Sequence, residues 1–180
     1  VQEGFVFGSR AQGLRLGAAK IVVTMTTGDM QPPRKELHRL VREAHRAGFQ
    51  VAIHAVEMEA VEEAVEAIRE ATQGDAANAL RHRIEHSSEC PPRLIARIAR
   101  EGIAVVTQPG FLYHSGERYL AEVPGNRLPW LYPIRSLKAA GVPLAIGSDA
   151  PVIGLNPLIG LYAAASRRAE SGDTVLPEEA

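Results

Sequence analysis

Three times in this 180-residue chain, a helical stretch ends at a glycine and a β-branched strand follows at once. This repeat constrains the fold more than any other feature of the sequence. Gly48, Gly102 and Gly141 stand where the end of a helix needs a left-handed backbone. The three copies read RAGFQVAIHA, REGIAVVTQP and AAGVPLAIGSDAP. Strands that alternate with helices in this way predict βα units and a parallel sheet, which is an α/β fold.

Five strands are predicted, at about 16–25, 50–56, 81–87, 103–109 and 143–149. Between them, apolar residues recur at the i, i+3, i+4, i+7 spacing of a helix with one buried face. Leu37, Leu40, Val41 and Ala44 show this spacing in the first helix. Four further helices are expected, over 61–68, 94–98 and 134–137 and from about residue 157.

Composition excludes several classes of protein. The chain is 46% hydrophobic and 23% charged with a net charge of −1, so it has neither a basic nucleic-acid footprint nor a polybasic membrane surface. It contains no apolar run of the roughly 18 residues that a membrane span needs. A single cysteine, Cys90, excludes a disulfide framework and suits a reducing compartment. We therefore expect a cytoplasmic protein.

Polar residues stand at the carboxyl ends of predicted strands. In 50–55 and in 143–149, side-chain alternation gives one aliphatic face suited to a helix layer. The opposite face is small and ends in His54 or Asp149. Open α/β sheets and (β/α)₈ barrels place their chemistry at these carboxyl ends.

The strand at 81–87 has a different pattern. If His82 and His86 share a face with Ile84, then Arg83 and Glu85 point toward the helix layer. We expect those two charged residues to pair with each other there.

His54, His86, Asp149 and Lys20 are the candidate metal ligands. Each has a simpler explanation taken alone: a histidine on a strand is usually a structural hydrogen-bonder, Asp149 precedes a proline and suits a turn, and Lys20 suits a sheet edge. Several such side chains at one end of successive strands favour a metal site instead. Imidazole and carboxylate together suit zinc.

The segment 109–132 is predicted to be a long aromatic loop that forms a lid or a substrate wall. It holds five of the nine aromatic residues. Tyr113, Tyr119 and Arg127 are its candidate substrate-binding residues. The alternative is that the aromatic side chains only pack the loop onto the body of the protein.

Five segments of the chain, in order, resemble the metal-dependent amidohydrolase superfamily, and within it amidohydrolase family 3, which includes the N-substituted formamide deformylase-like proteins. The segments are LRLGAAKIVV, AHRAGFQVAIHAVEMEAVEEAVEAI, RHRIEHS, QPGFLYHSGERYL and LYPIRSLKAAGVPLAIGSDAPV. The resemblance implies that residues 1–180 form a single domain, a partial TIM barrel of about five βα units that corresponds to strands four to eight. The amino-terminal strands are expected to belong to a longer protein.

The resemblance also implies residue roles. His54 and His86 correspond to metal ligands, and Asp149 corresponds to the aspartate that binds metal and shuttles the proton. Lys20 corresponds to a lysine that is carboxylated and bridges two metals in binuclear members. The implied activity is hydrolysis of a C–N bond in a small amide or cyclic amide by water activated on one or two divalent ions, with zinc expected.

Two departures from the family pattern leave alternatives open. The chain reads HAVEMEA where the family often has HAxGDxA, and no HxH pair precedes the lysine segment. The alternatives are a catalytically incompetent half-barrel and a deaminase or phosphotriesterase relative that uses the same ligands. We also expect self-association, because an open sheet exposes unpaired edges.

Overall fold

The computed structural model describes residues 4–25, 28–73 and 79–180. The strands are β1 (Arg10–Ala11), β2 (Leu14–Arg15), β3 (Ala19–Val22), β4 (Val51–Ala55), β5 (Arg83–His86), β6 (Ala104–Thr107) and β7 (Leu144–Ile146). The α-helices are α1 (Arg34–Arg46), α2 (Met58–Ala71), α3 (Pro92–Arg100), α4 (Gly110–Glu122), α5 (Ile134–Ala139) and α6 (Pro157–Ser166). Two 3₁₀ helices span Leu128–Trp130 and Pro177–Glu179.

Strands β3 to β7 form a five-stranded sheet in chain order, and every neighbouring pair is parallel. Strands β1 and β2 form a separate antiparallel hairpin. The predicted α/β class is therefore confirmed. Each long strand lies inside its predicted segment but is shorter, at three to five residues.

The glycine repeat creates three helix endings of one kind. Gly48, Gly102 and Gly141 have φ values of +76°, +61° and +77°. In each case the next residue donates its N–H to the carbonyl five residues earlier, as in the bond of 2.9 Å from Phe49 to Ala44. The equivalent bonds from residues 103 and 142 are both 3.1 Å. This is the Schellman arrangement, which caps the helix and directs the chain into the following strand.

One face of the sheet carries the core. Ile21, Ile53, Ile84 and Val105 are adjacent in register across four strands and are buried beneath the helices. The opposite face is more open, and Val22 on that face is 51% exposed. The aliphatic face predicted for β4 is therefore the helix-covered one.

The structure corrects the prediction for the two faces of β5. Arg83 and Glu85 do pair, at 2.7 Å between Nε and Oε1. However, they are in register with Ala52 and His54, so they lie on the open face and not against the helices. The reason is that Ile84 joins the isoleucine row of the core, which leaves the charged pair on the side where water reaches it.

The prediction of a long loop over 109–132 is also wrong, because most of this segment is helical, as α4 followed by a 3₁₀ turn. Leu112 and Gly116 are buried at helical spacing. A Cβ added at Gly116 would lie 2.7 Å from the Cβ of Ala169. Gly116 therefore allows close packing of the chain that follows α6.

None of the helices in the described part of the chain is long and apolar enough to cross a membrane.

Candidate functional site

Two imidazole rings meet at the carboxyl ends of β4 and β5. The ring centres of His54 and His86 lie 4.3 Å apart, and the ring planes are inclined by 70°. His86 is in register with Ala55, whose side chain faces the core. Its φ of +76° ends the strand and turns the ring toward His54. Burial lowers the pKa of both histidines, which favours the neutral imidazole that binds metal ions.

Asp149 and Lys20 act on this pair of rings through their charges. The carboxylate of Asp149 opposes the lowering of the pKa of both His54 and His86, whereas the ammonium of Lys20 contributes to it. The structure thus brings His54 and His86 into contact, with Asp149 and Lys20 near enough for their charges to act on both rings. Within the described residues, no three His, Cys, Asp or Glu side chains are arranged to hold a metal ion together.

The backbone is strained at two of the predicted ligands. His86 and the following Ser87 have φ values of +76° and +51°, and Asp149 has +59°. Residues other than glycine rarely adopt such values, which cost on the order of 1–3 kcal/mol and concentrate at active sites and ligand clamps. Strain at both positions indicates that the fold holds these side chains in set directions.

Four buried polar atoms near these strand ends make no hydrogen bond with any described residue. They are Glu57 Oε2, Ser87 Oγ, Thr107 Oγ1 and Gln108 Oε1. Glu57 follows β4, Thr107 ends β6 and Gln108 follows it. Burying such an atom without a partner costs about 1–3 kcal/mol. Sequence reasoning missed Gln108, for which the only signal is a polar residue directly after a strand.

The predicted substrate-binding residues have internal partners. Arg127 bonds to Glu59 at 2.5 Å and to Glu89 at 2.9 Å. It therefore ties together the segments that follow β4 and β5. Arg127 therefore has a structural role, because its guanidinium is already paired with two carboxylates.

The two predicted tyrosines lie in a second, smaller core formed around α4. The Tyr119 hydroxyl is 3.1 Å from that of Tyr132, and the Tyr113 ring packs edge-on against His114 and Tyr162. In the described structure, none of the hydrogen bonds or ring contacts of Tyr113 and Tyr119 involves His54 or His86. Both tyrosines therefore help to pack this segment onto the body, and their contact with a substrate stays a prediction.

A cavity of about 200 Å³ lies between α4, the end of β7 and the start of α6. Its walls are mainly aliphatic, with Ile146, Ile153 and Ile159 among them, and His114 and Ser148 add polar groups. Ser148 directly precedes Asp149 in the chain, whereas none of the four candidate ligands lines this cavity.

A sequence model of the amidohydrolase family matches residues 7–180. The chain belongs to the amidohydrolase family. Among relatives of this amidohydrolase chain, the amidohydrolase-like protein YtcJ of Bacillus subtilis (strain 168) is 30% identical over 143 residues. The N-substituted formamide deformylase of Arthrobacter pascens is 29% identical over 151 residues. These alignments cover 79% and 82% of the chain but only 26% and 27% of the two relatives.

Solved structures show the same fold. A metal-dependent hydrolase from Pyrococcus furiosus superposes with a TM-score of 0.77 at 22% identity, and one from Pyrococcus horikoshii OT3 with 0.75 at 24% identity. The matches cover 97% and 94% of this chain and 38% and 37% of those chains. The five βα units of this amidohydrolase chain therefore correspond to part of a metal-dependent hydrolase barrel, as predicted.

Proposed function

We propose that this protein is a metal-dependent amidohydrolase that cleaves a C–N bond of a small, non-peptide amide or cyclic amide. The observation that carries the proposal is the edge-to-face pair of His54 and His86, held at the carboxyl ends of adjacent strands within reach of the charges of Asp149 and Lys20. Barrel enzymes place their catalytic groups at this end of the strands.

The side chains present suit a divalent ion, with zinc preferred. His54 and His86 would supply neutral imidazole nitrogens and Asp149 a carboxylate oxygen, which is a typical catalytic zinc set. Lys20 would contribute as a carboxylated bridging ligand if two ions bind. When bound, such an ion lowers the pKa of water toward neutrality and polarises the carbonyl of the substrate.

In this proposal, Asp149 is the catalytic residue that moves the proton. Its carboxylate accepts a proton from the attacking water and returns it to the leaving nitrogen. The strained backbone at Asp149 would hold its carboxylate in a set direction through both transfers.

The substrate is a small molecule with an apolar group. The cavity beside Ser148 is aliphatic and is large enough for a group the size of a benzene ring, which occupies engineered cavities of about 150 Å³. Tyr113 on α4 remains a candidate for contact with the substrate. Arg127 and Tyr119 would act indirectly, by supporting the segment that follows β6. The name of the Arthrobacter relative makes N-substituted formamides a suitable first substrate class.

The test combines zinc binding with hydrolysis of a panel of N-substituted formamides, lactams and acyl amines. His54→Ala and His86→Ala are expected to weaken zinc binding by at least about tenfold, while Asp149→Asn is expected to keep the fold and remove hydrolysis. His38→Gln is the matched control, because His38 pairs with Glu63 and Glu70 between α1 and α2. Absence of zinc binding and of turnover in the complete protein would overturn the proposal.

One observation favours a second candidate, a chain that binds no metal by itself. The described residues do not bring three metal-binding side chains together. Such a chain is expected to bind zinc no more tightly than its His54→Ala variant. Equal zinc affinities of the two would favour this candidate.

A further inference from the structure

Helices α4 and α6 meet at two glycines, and the apolar cavity between the helices lies beside that contact. A Cβ added at Gly110, the first residue of α4, would lie 4.0 Å from the Cα atom of Gly160 in α6. Both glycines line the cavity, which has a volume of about 200 Å³. Because neither residue has a side chain, the two backbones pack closely and leave space for a ligand beside them.

The walls of the cavity favour a neutral ligand. None of the described residues that line it is an aspartate, glutamate, lysine or arginine, and most are aliphatic residues or glycines. A cationic ligand would lose its water there without gaining a carboxylate partner, which is unfavourable.

Two polar side chains in the wall suit a ligand with an oxygen acceptor. Ser148 Oγ accepts the N–H of Ala150 at 3.2 Å, and Asn156 Oδ1 accepts that of Leu158 at 3.0 Å. A hydroxyl that accepts one hydrogen bond can still donate its own proton, and the NH₂ group of an asparagine donates independently of its oxygen. Ser148 and Asn156 can therefore donate to a carbonyl or hydroxyl oxygen of a ligand.

The absence of a methyl group at position 110 keeps part of the cavity open. A Cβ added at Gly110 would lie 2.7 Å from Cδ1 of Ile153, which also lines the cavity. Carbon atoms have their optimal separation at about 3.5–4.0 Å, so an alanine at position 110 would push the tip of Ile153 aside. The added methyl group would then occupy space that a ligand could fill.

We propose that the cavity binds a neutral molecule with a hydrocarbon group the size of a benzene ring and an oxygen acceptor, and that Gly110 determines the size of the group it admits. Engineered apolar cavities of about 150 Å³ hold benzene, and this one is somewhat larger. The inference rests on the proposed function in treating such a molecule as the substrate, but binding to the cavity itself needs no metal ion.

The test titrates the protein with toluene and benzyl alcohol without added metal, and follows binding by NMR chemical shifts. Both probes are expected to bind. Benzylamine, which carries a positive charge on the same ring, is expected to bind at least about tenfold more weakly than benzyl alcohol. Equal affinities for benzylamine and benzyl alcohol, or no binding of toluene, would overturn the inference without the use of any variant.

Substitutions test the role of Gly110. Gly110→Ala is expected to weaken toluene binding about tenfold or more, which is the effect of one methyl group in an apolar pocket. Ile153→Val lacks the Cδ1 atom, so Gly110→Ala should cost less affinity in the Ile153→Val background. Gly125→Ala is the matched control, because a Cβ at Gly125 would meet no atom within 4 Å. Equal toluene affinities of Gly110→Ala and the unmodified protein, or equal losses in both backgrounds, would overturn the size-determining contact.

Hydrolysis by the zinc-loaded protein separates this inference from the proposed function. Gly110→Ala should lower kcat/KM for N-benzylformamide more than for N-methylformamide. Equal losses for the two substrates would overturn the role of Gly110 in specificity and leave the proposed function intact. Toluene binding by a protein that hydrolyses no amide would overturn the proposed function and leave the cavity as a binding site.

Discussion

The Nε2 atom of His82 lies 2.9 Å from the Nδ1 atom of His45, which joins the residue just before β5 to the last turn of α1. His82 is fully buried, and its Nδ1 accepts the backbone N–H of Val51 at 3.0 Å. Because Nδ1 must be unprotonated to accept, the neutral ring carries its proton on Nε2 and donates it to His45. This histidine therefore belongs to the helix layer and not to the face that carries His54.

Stability is expected to fall in mild acid because of His82. Burial, with a smaller contribution from His45, lowers its pKa from 6.5 to about 4. A lowered pKa of a base means that the stabilisation is complete above pH 6.5 and is lost as the pH falls from 6.5 toward 4. The loss is about 3 kcal/mol when complete.

Urea unfolding at pH 7.5 and pH 4.5 measures this effect. His82→Asn keeps an acceptor near Val51 but does not titrate, so its stability should depend less steeply on pH. The same pH dependence in both proteins would assign the acid sensitivity to other groups.

Replacing Arg167 with methionine is expected to destabilise the fold by at least about 3 kcal/mol. The Arg167 side chain is fully buried, and burial lowers its pKa to about 10. Its guanidinium donates to the backbone carbonyls of Val175, Tyr132 and Leu131 at 2.9, 2.9 and 3.0 Å. Arg168→Met, at the exposed neighbouring position, should change the free energy of unfolding by less than about 0.5 kcal/mol. Similar losses of unfolding free energy in both variants would contradict this structural role of Arg167.

Two glycines in helices are expected to respond oppositely to alanine. At Gly116 the new Cβ would lie 2.7 Å from Ala169 Cβ and 3.2 Å from Val175 Cγ2, so overpacking should cost about 1–3 kcal/mol. At Gly160 the nearest atom is Ile146 Cγ2 at 3.6 Å, an ordinary contact. Gly160→Ala should therefore stabilise the helix by about 0.5–1 kcal/mol. Thermal unfolding compares the two variants directly, and shifts of the same sign would refute the packing argument.

We propose that the chain self-associates through the edges of its sheet. In the described structure β3 and β7 each pair on one side only, and Val22 and Ile146 on these strands are 51% and 40% exposed. The double change Val22→Lys and Ile146→Lys should shift the chain toward monomer in sedimentation experiments, since lysine at a strand edge opposes pairing. Leu120→Lys on α4, where Leu120 is 41% exposed, is the control. A monodisperse monomer of the unmodified chain would disprove the proposal.

Local sequence was sufficient to predict those features that depend only on neighbouring residues, such as helix ends and strand faces. Gly48, Gly102 and Gly141 each end a helix because only the residue after each helix has to adopt a left-handed backbone. The alternation in β4 likewise predicts its buried face, because neighbouring side chains on a strand point to opposite sides. The polar residues at strand ends and the family motifs likewise predict His54, His86 and Asp149 as candidate ligands.

Tertiary contacts decided the direction of several side chains that sequence periodicity could not predict. The sequence predicts that Ile84 and His86 share the face away from the helices, but Ile84 packs in the core, and a positive φ at the strand end turns the ring of His86 toward His54. Arg83 and Glu85 lie on the open face because Ile84 packs in the core row. Gly116 lies within α4 and has no room for a Cβ, because Ala169, more than fifty residues later in the chain, packs against it.

By itself, the sequence determined the α/β class and the alternation of five strands with helices, because each depends on neighbours along the chain. Only the tertiary structure decided which side chains meet. The direction of His86, the internal partners of Arg127 and the unpartnered oxygen of Gln108 all depend on atoms brought together from distant segments, and no local pattern specifies those distances.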